Sequence, residues 1–220
     1  MGVYIDGERV LGSSSRGSDG GGGGVTSGPV VNDLSTGEAE PGSGLGSASI
    51  AGGEAVLAFN ADRFGQYRPG EFQGPRVTVP NVVPLGTNVR IYSRFTLVGD
   101  NTTWAKLGLV DEATNQFVYF QVRASDGQMV GYSTNGAVYN TLDTIARGGT
   151  GWIGVERIGA TIGWWWAENA DTSQIPTSGW KHLGGLAWPD IAPNTAVMAL
   201  AKSDNGLVGS CSMSLYVERL

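Results

Sequence analysis

Apolar and polar residues alternate along most of the chain after its first quarter, and a period of two predicts β-strands. The alternation is clear in residues 88–97, where Val89 and Ile91 alternate with Arg90 and Tyr92. No stretch shows the 3.6-residue apolar period of a helix. The predicted strands cover residues 54–60, 75–79, 88–97, 103–111, 116–123, 128–133, 152–158, 161–167, 195–201 and 208–219. Short strands at regular spacing indicate an all-β sandwich or barrel.

The segment between Gly12 and Gly53 has a different character, because it contains fourteen glycines and no aromatic residue. Such a segment buries too little apolar surface to fold by itself. We therefore predict a Gly/Ser-rich extended arm or linker over residues 13–53, followed by one domain over residues 54–220.

A hairpin is predicted at residues 1–12, because "VYIDGERVL" places the favoured two-residue turn Asp6-Gly7 between β-forming residues. A lone two-stranded hairpin is marginal in water. It is therefore either a frayed terminus or an element that adds to the sheet of a partner, and we favour the second alternative. The predicted assembly anchor consists of Val3, Tyr4, Ile5, Val10 and Leu11.

Composition and charge exclude several classes of function. The formal net charge is -6 and the isoelectric point is near 4.7, which argues against a partner with a phosphate backbone. The single cysteine, Cys211, allows no internal disulfide, and the single histidine, His182, has no partner at metal-ligand spacing. We expect no cofactor and no nucleic-acid partner. No signal peptide or membrane span is predicted either.

Three consecutive tryptophans occupy residues 164–166, after a predicted turn at Gly159-Ala160. A two-residue turn fixes the register, so that Val155 faces Trp164 and Gly154 faces Trp165. Trp164 and Trp166 then share an apolar face with Ile153, Val155 and Ile162, and this face is predicted to be core. The opposite face carries Trp152, Glu156 and Trp165 as candidate glycan-binding residues. Packing under a loop or against another subunit, and recognition of a protein, are the alternatives for Trp165.

The stretch "WIGVERIGATIGWWWAENADTSQIPTSGWKHLGGLAW" resembles the concanavalin A-like lectin/glucanase jelly rolls, in particular their laminin-G-like modules. The residues that carry the resemblance are Trp152, Val155, Glu156, Arg157, Trp164, Trp165, Trp166, Trp180 and Leu183. The resemblance covers about residues 54–220. It implies an antiparallel jelly-roll sandwich of two sheets. It also implies glycan binding, as in many members, or endoglucanase activity, as in some.

Hydrolases that resemble laminarinase carry clustered carboxylates, E-x-D-x-x-E, on one strand, and this chain has no such cluster. Glu156 is alone on its strand, and Asp111 and Glu112 are adjacent and face opposite ways. The sequence therefore predicts no catalytic residue and no enzymatic activity. Asp190, Asp204 and Asn205 match no defined calcium loop, so no metal site is predicted.

These features together predict a virion structural protein of a tailed bacteriophage, of the head-decoration or fibre type. The N-terminal arm would anchor it to other virion proteins, and a homo-oligomer, with a trimer favoured, would display the sandwich. Adhesion to a cell-surface glycan through Trp165, Trp152 and Glu156 would be an additional property. The alternative is a carbohydrate-binding module or lectin, and a glycoside hydrolase is the third possibility.

Overall fold

The computed structural model describes residues 3–5, 8–10, 30–32, 34–42, 46–59, 74–82, 88–100, 103–114, 116–134, 138–141, 149–167, 175–188, 191–202 and 209–220. For residues 3–5, 8–10, 31, 138–141 and 202 it describes the backbone alone. Within these ranges the chain is built of β-strands in two antiparallel sheets. The predicted all-β jelly-roll sandwich is confirmed.

The first nine strands are β1 (Val3–Ile5), β2 (Glu8–Val10), β3 (Val30–Asn32), β4 (Glu38–Glu40), β5 (Gly46–Ala51), β6 (Glu54–Phe59), β7 (Arg76–Val79), β8 (Val89–Val98) and β9 (Thr103–Asp111). The others are β10 (Gln116–Arg123), β11 (Met129–Ser133), β12 (Val138–Thr141), β13 (Thr150–Ile158), β14 (Thr161–Ala167), β15 (Trp180–Ala187), β16 (Thr195–Lys202), β17 (Ser210–Met213) and β18 (Leu215–Arg219).

The larger sheet has eleven strands, in the order β1-β2-β15-β14-β13-β8-β17-β6-β5, with β18 pairing with both β8 and β3. The smaller sheet has seven strands, in the order β12-β11-β10-β9-β16-β7-β4. Consecutive strands alternate between the two sheets at several points, so most contacts join residues that are distant in sequence. Each sheet has an inner face toward the core and an outer face away from it.

The hairpin of β13 and β14 has the predicted register, with Val155 opposite Trp164 and Gly154 opposite Trp165. Gly159 begins the turn with a φ of 58°, a conformation that glycine adopts without strain. The predicted inner-face residues, Ile153, Val155, Ile162, Trp164 and Trp166, all belong to the buried core between the sheets. Burial of each such large side chain stabilises the fold by about 1.5–3 kcal/mol.

Trp164 spans the core from one sheet to the other. Its indole N–H donates a hydrogen bond of 3.0 Å to the backbone carbonyl oxygen of Tyr119 on β10. Gly131 on β11 leaves room for the indole, because a Cβ atom at that position would lie 2.6 Å from Cδ2 of Trp164. The tryptophan and the glycine therefore fit together as one packing unit.

The predicted arm over residues 13–53 differs from the structure, which places three strands between residues 30 and 51. β3 pairs with β18, β4 with β7, and β5 with β6. Gly46 on β5 lies so close to the residue before β7 that a Cβ there would meet Cγ of Pro75 at 2.2 Å. Glycine here allows close approach of the backbone and does not indicate a linker, so the sandwich begins before the predicted boundary at residue 54.

The N-terminal hairpin is present, with Val3 opposite Val10 and Ile5 opposite Glu8, as a two-residue turn requires. β2 pairs with β15 of the larger sheet, through Arg9 opposite Trp180 and Glu8 opposite Lys181. The hairpin is therefore the edge of that sheet. The side chains of the predicted anchor residues, and the whole of Leu11, lie outside the described part of the chain.

Candidate functional site

The three predicted glycan-binding residues lie together on the outer face of the larger sheet. Trp165 is opposite Gly154, between Trp152 and Glu156 on β13. Glu156 and Trp165 both border Gly163, where a Cβ would lie 2.9 Å from Oε1 of Glu156 and 3.2 Å from Nε1 of Trp165. The alternation of the strand pair therefore brings the predicted residues together.

This part of the outer face is covered by the chain itself. Trp165 is 3% exposed, Trp152 is 0% exposed and Glu156 is 7% exposed. Trp152 and Trp165 form a second hydrophobic cluster with Trp180, Tyr92 and Ala167, against which Ile175 and Tyr216 pack. Because a sugar ring stacks on an open aromatic face, these indoles serve here as packing surface. Their predicted role in glycan binding stays a prediction.

Rings from β8, β14 and β15 meet at this cluster. The ring centroids of Tyr92 and Trp180 are 5.1 Å apart, and those of Trp165 and His182 are 4.4 Å apart. Trp180 is fixed further by a hydrogen bond of 2.8 Å from its indole N–H to the backbone oxygen of Pro176. The segment before β15 thus folds over the sheet and closes the cluster.

A row of buried charges runs beside these rings across three neighbouring strands. Arg90 on β8 lies opposite both Glu156 on β13 and Glu218 on β18. Its guanidinium donates to Glu156 at 2.5 Å and to Glu218 at 3.3 Å, and the Tyr92 hydroxyl donates to Glu218 at 2.8 Å. Burial, followed by the nearby Glu218 charge, raises the pKa of Tyr92 well above its usual value. We call this set the arginine row, and it ties the last strand to the centre of the sheet.

The outer face of the seven-stranded sheet carries a different aromatic group, which we call the ring ladder and which consists of Phe117, Tyr119 and Tyr132. Tyr119 on β10 lies directly opposite Tyr132 on β11, and their ring centroids are 5.0 Å apart with planes 19° from parallel. Phe117 stacks with Tyr119 at 6.1 Å and with Tyr132 at 6.4 Å. Tyr119 is buried between its neighbours, whereas Phe117 and Tyr132 remain partly exposed.

Small residues lie beside the ring ladder and are buried. Gly108 on β9 lies opposite Tyr119, and Ala199 and Ala201 on β16 face outward next to it. Lys106 lies between the alanines and the rings, with its Nζ atom 4.3 Å from the Tyr119 centroid. Burial lowers the pKa of Lys106 well below its ordinary value. Gly108, Ala199, Ala201 and Lys106 are buried and form no open surface, whereas Phe117, Tyr132 and Gln121 are partly exposed.

Polar and charged groups border the ring ladder. Gln121 lies opposite Lys106 and is partly exposed. At one end Arg123 packs over the Trp104 ring at 5.1 Å and forms an ion pair with Asp126. The hydrogen bonds from Arg123 lower the pKa of the Asp126 carboxyl to about 2. Aromatic stacking surface with hydrogen-bonding groups at its border is the arrangement that a sugar chain requires.

Sequence reasoning missed the ring ladder, although the signal was present. In "QFVYFQVR" the residues at positions 117, 119 and 121 share one face, and Tyr132 occupies the outer face of the next predicted strand. The density of tryptophan at residues 164–166 drew the prediction to the other sheet. The exposure of a ring depends on what covers it, and alternation cannot show this.

Metal and membrane features add little to the picture. The described residues include no group of three or more His, Cys, Asp or Glu side chains that could hold a metal ion. Asp190, Asp204 and Asn205, considered for calcium, lie outside the described ranges. Among the residues that the structure describes, no helix is long and apolar enough to cross a membrane.

No protein-family model matches this chain, and no curated protein is similar to it in sequence. Solved structures with a similar fold include the β-glucanase of Bacillus licheniformis, with a TM-score of 0.53 and 10% identity over 89% of this chain and 99% of that one. The CBM2 module of the evolved Dit of Lactobacillus casei BL23 phage J-1 has a TM-score of 0.51 and 10% identity, over 79% and 80%. A β-1,3-1,4-glucanase from a mouse hindgut metagenome has a TM-score of 0.51 and 7% identity, over 78% and 82%. These likenesses show a shared fold, the jelly roll of the concanavalin A-like glucanases and lectins.

The comparisons correct one prediction. The sequence led us to expect that the chain is not an enzyme. Several similar structures are nevertheless glycoside hydrolases, including the β-1,3-1,4-glucanase (lichenase) from the mouse hindgut metagenome and the laminarinase catalytic domain of Thermotoga maritima. The prediction of no enzymatic activity is therefore wrong. It failed because a search for one carboxylate motif on one strand is too narrow a criterion for a fold in which hydrolases occur. Hydrolysis consequently belongs among the activities to be assayed.

Proposed function

We propose that this chain recognises carbohydrate through the outer face of its seven-stranded sheet. The observation that carries the proposal is the ring ladder, in which Phe117 and Tyr132 present partly open rings. A sugar ring could stack on the open parts of these two rings. Gln121 and the Arg123–Asp126 pair would then be within reach of its hydroxyl groups.

Two further facts support this proposal. The same fold occurs in a CBM2 module of a phage protein and in several β-glucanases, and the names of these proteins refer to carbohydrates. The ring ladder also lies on a sheet whose inner face is fixed by Trp164, which donates a hydrogen bond to the backbone carbonyl oxygen of Tyr119. The ladder is thereby held on a rigid support, as a preformed site requires.

Binding to a panel of soluble β-1,3 and mixed-linkage β-1,3-1,4 glucans, measured by titration calorimetry, tests the proposal. We expect Phe117→Ala and Tyr132→Ala each to weaken binding about five- to tenfold, since one aromatic contact contributes roughly 1–1.5 kcal/mol. Tyr132→Phe keeps the ring and should bind like the natural chain. Release of reducing ends from the same glucans, measured in parallel, shows whether bound chains are also cleaved.

A substitution on the other sheet separates the two candidate faces. Trp165→Phe keeps a ring in the second cluster and should leave glucan binding unchanged. If that variant loses binding while Tyr132→Ala retains it, the site lies at Trp165, Trp152 and Glu156, and the ring ladder is not the site. Absence of binding to every glucan by the natural chain would refute the proposal for this ligand class.

We also propose a role in a phage virion, as the sequence predicts. The similarity in fold to a module of a phage Dit protein supports this, and so does the N-terminal hairpin, a type of element that adds to sheets. Purified virions from a host that carries the encoding genome should contain the full-length chain at a fixed stoichiometry, measurable by quantitative mass spectrometry. A chain found only in the lysate, and absent from virions, would contradict the proposal.

A further inference from the structure

Two arginines on β8 lie on the outer face of the larger sheet and have different surroundings. Arg90 is buried between the carboxylates of Glu156 and Glu218 and donates a hydrogen bond to each of them. Arg94, further along the strand, lies opposite Trp152 on β13 and forms no ion pair with another described residue. Both side chains project to the same side, because the side chains of a strand alternate with a period of two. The pairing of the strands thus compensates the charge of Arg90 and leaves that of Arg94 without a carboxylate.

The surroundings of Arg94 also leave one of its N–H groups without an acceptor. Its Nε atom is buried and has no hydrogen-bond partner within the part of the chain that the structure describes, while the residue as a whole is partly exposed. The backbone of Arg94 is satisfied, since its N–H donates to Oγ of Ser214 at 3.2 Å and its carbonyl oxygen accepts from the N–H of Ser214 at 3.0 Å. A buried donor of a charged group is costly to leave unpaired. An acceptor from outside the chain therefore gains most at this guanidinium group.

Hydroxyl groups lie beside Arg94 on the same face. Thr96 on β8 is exposed, and its hydroxyl oxygen lies 3.5 Å from that of Thr150, which is opposite it on β13. Ser212 on β17 lies opposite Thr96 on the other side and is partly exposed. The step from Arg94 to Thr96 is about 6.8 Å, because a strand rises about 3.4 Å per residue. One sugar residue can therefore bridge from the guanidinium group to these hydroxyls.

We propose that Arg94 binds the carboxylate of a uronic acid residue in an acidic oligosaccharide, and that Thr96 and Thr150 contact hydroxyls of the same sugar. A carboxylate matches the bidentate geometry of a guanidinium group, so Nε gains its acceptor together with a neighbouring Nη atom. Threonine hydroxyls both donate and accept hydrogen bonds, as sugar hydroxyls require. The net charge of -6 favours a glycan whose carboxylates are separated by neutral sugars, because a dense polyanion is repelled. The inference does not rest on glucan binding by the ring ladder, which lies on the other sheet.

Titration calorimetry with a xylo-oligosaccharide that carries a single glucuronic acid residue tests the proposal. The matched ligands are the same oligosaccharide with its carboxyl group reduced to an alcohol, and acetate. We expect the acidic oligosaccharide to bind at least about tenfold more tightly than its reduced form, because hydrogen bonds to charged groups are the strong ones. Acetate should bind more weakly than the acidic oligosaccharide, since it makes no contact with the threonine hydroxyls.

Substitutions assign the binding to this place on the sheet. Arg94→Gln should abolish the preference for the acidic oligosaccharide, Arg94→Lys should keep part of it, and Thr96→Val should weaken binding about two- to tenfold. The matched control is Arg219→Gln, which removes an exposed arginine at the end of β18 and should bind like the natural chain. Circular dichroism of each variant verifies that it is folded.

The NMR signal of the Arg94 Nε–H group reports the contact directly, and Arg94→Lys identifies this signal by removing it. The signal should shift on addition of the acidic oligosaccharide and stay in place with the reduced one. Equal affinity for the two oligosaccharides, or binding of neither, would overturn the proposal. Binding of acetate as tight as that of the acidic oligosaccharide would overturn it too, because the sugar would contribute nothing. Tyr132→Ala should leave this binding unchanged and Arg94→Gln should leave neutral glucan binding unchanged, so failure at one site is distinguishable from failure at the other.

Discussion

The two outer faces of the sandwich use similar residues for different purposes. On the larger sheet, Trp165, Trp152 and the arginine row are sealed by Trp180, Tyr216 and the segment before β15. On the seven-stranded sheet, the ring ladder keeps Phe117 and Tyr132 partly open, with a charged pair at its border. The number of aromatic residues on a face therefore does not locate a binding site, whereas the residues that cover them do.

Replacing one ring on each face gives the sharpest contrast. Trp165→Ala removes a buried indole and should lower the free energy of unfolding by about 3–5 kcal/mol. Tyr132→Ala, on the open face, should lower it by only about 1 kcal/mol, because the ring is already partly in water. Urea denaturation followed by circular dichroism measures both. Equal losses would mean that the two faces are covered to the same extent.

Replacing one arginine on each outer face tests whether a buried and an exposed ion pair contribute differently to stability. The Arg90 side chain is 5% exposed, and its replacement by Leu leaves the Glu156 and Glu218 carboxylates buried without their cation, which should cost about 3 kcal/mol. Arg123 is 25% exposed and its partner Asp126 is 43% exposed. Arg123→Leu should therefore change stability by less than about 1 kcal/mol. Thermal unfolding of both variants measures these losses of stability. A larger loss for Arg123→Leu than for Arg90→Leu would contradict the expected difference between the two faces.

Lowering the pH should weaken the Arg123–Asp126 ion pair on the outer face of the seven-stranded sheet, because Asp126 becomes protonated. Its folded-state pKa of about 2 lies below the usual 3.8, so the ion pair stabilises the fold above about pH 4. That contribution should disappear as the pH falls through about 2, and it amounts to less than about 1 kcal/mol because the pair is exposed to solvent. Asp126→Asn should remove this part of the pH dependence. If the variant and the natural chain lose stability in parallel between pH 4 and 2, the pair contributes nothing.

The smallest expected effect concerns His182, at the border of the sealed face. Desolvation lowers the pKa of this imidazole below 6.5, and the nearby Glu156 charge opposes the shift. Folding therefore disfavours the protonated ring, and stability should fall slightly as the pH drops through 6.5 toward the folded-state pKa. The chain has one histidine, so its NMR titration is unambiguous. Glu156→Gln should lower the pKa further, whereas a value above 6.5 in the natural chain would contradict the dominance of desolvation at this imidazole.

Local rules predicted the strands and the pairing of β13 with β14, because the alternation of Val155 and Trp164 with Gly154 and Trp165 determines both. The same rules missed β15, whose "WKHLGGLA" has two central glycines, and the strands between residues 30 and 51. In those places the backbone hydrogen bonds and close approach, as at Gly46, determine the structure. Side-chain patterns carry no signal of such pairing.

The candidate site was harder to predict than the fold for the same reason. The sequence correctly placed Trp165 on the outer face beside Glu156, but its cover comes from Trp180 and His182, on a strand that alternation did not indicate. The partial exposure of Tyr132 likewise depends on elements that are distant in sequence. A side chain's face follows from neighbours along the chain, whereas its access to ligand follows from tertiary packing.

The fit between Trp164 and Gly131 has a consequence for the divergence of this sequence. The indole occupies the volume that any side chain at position 131 would need, and it holds the carbonyl oxygen of Tyr119 beneath the ring ladder. Positions 131 and 164 are therefore free to change only together, with a larger residue at one accompanied by a smaller residue at the other. Sequences descended from this one should show these two sites as a covarying pair.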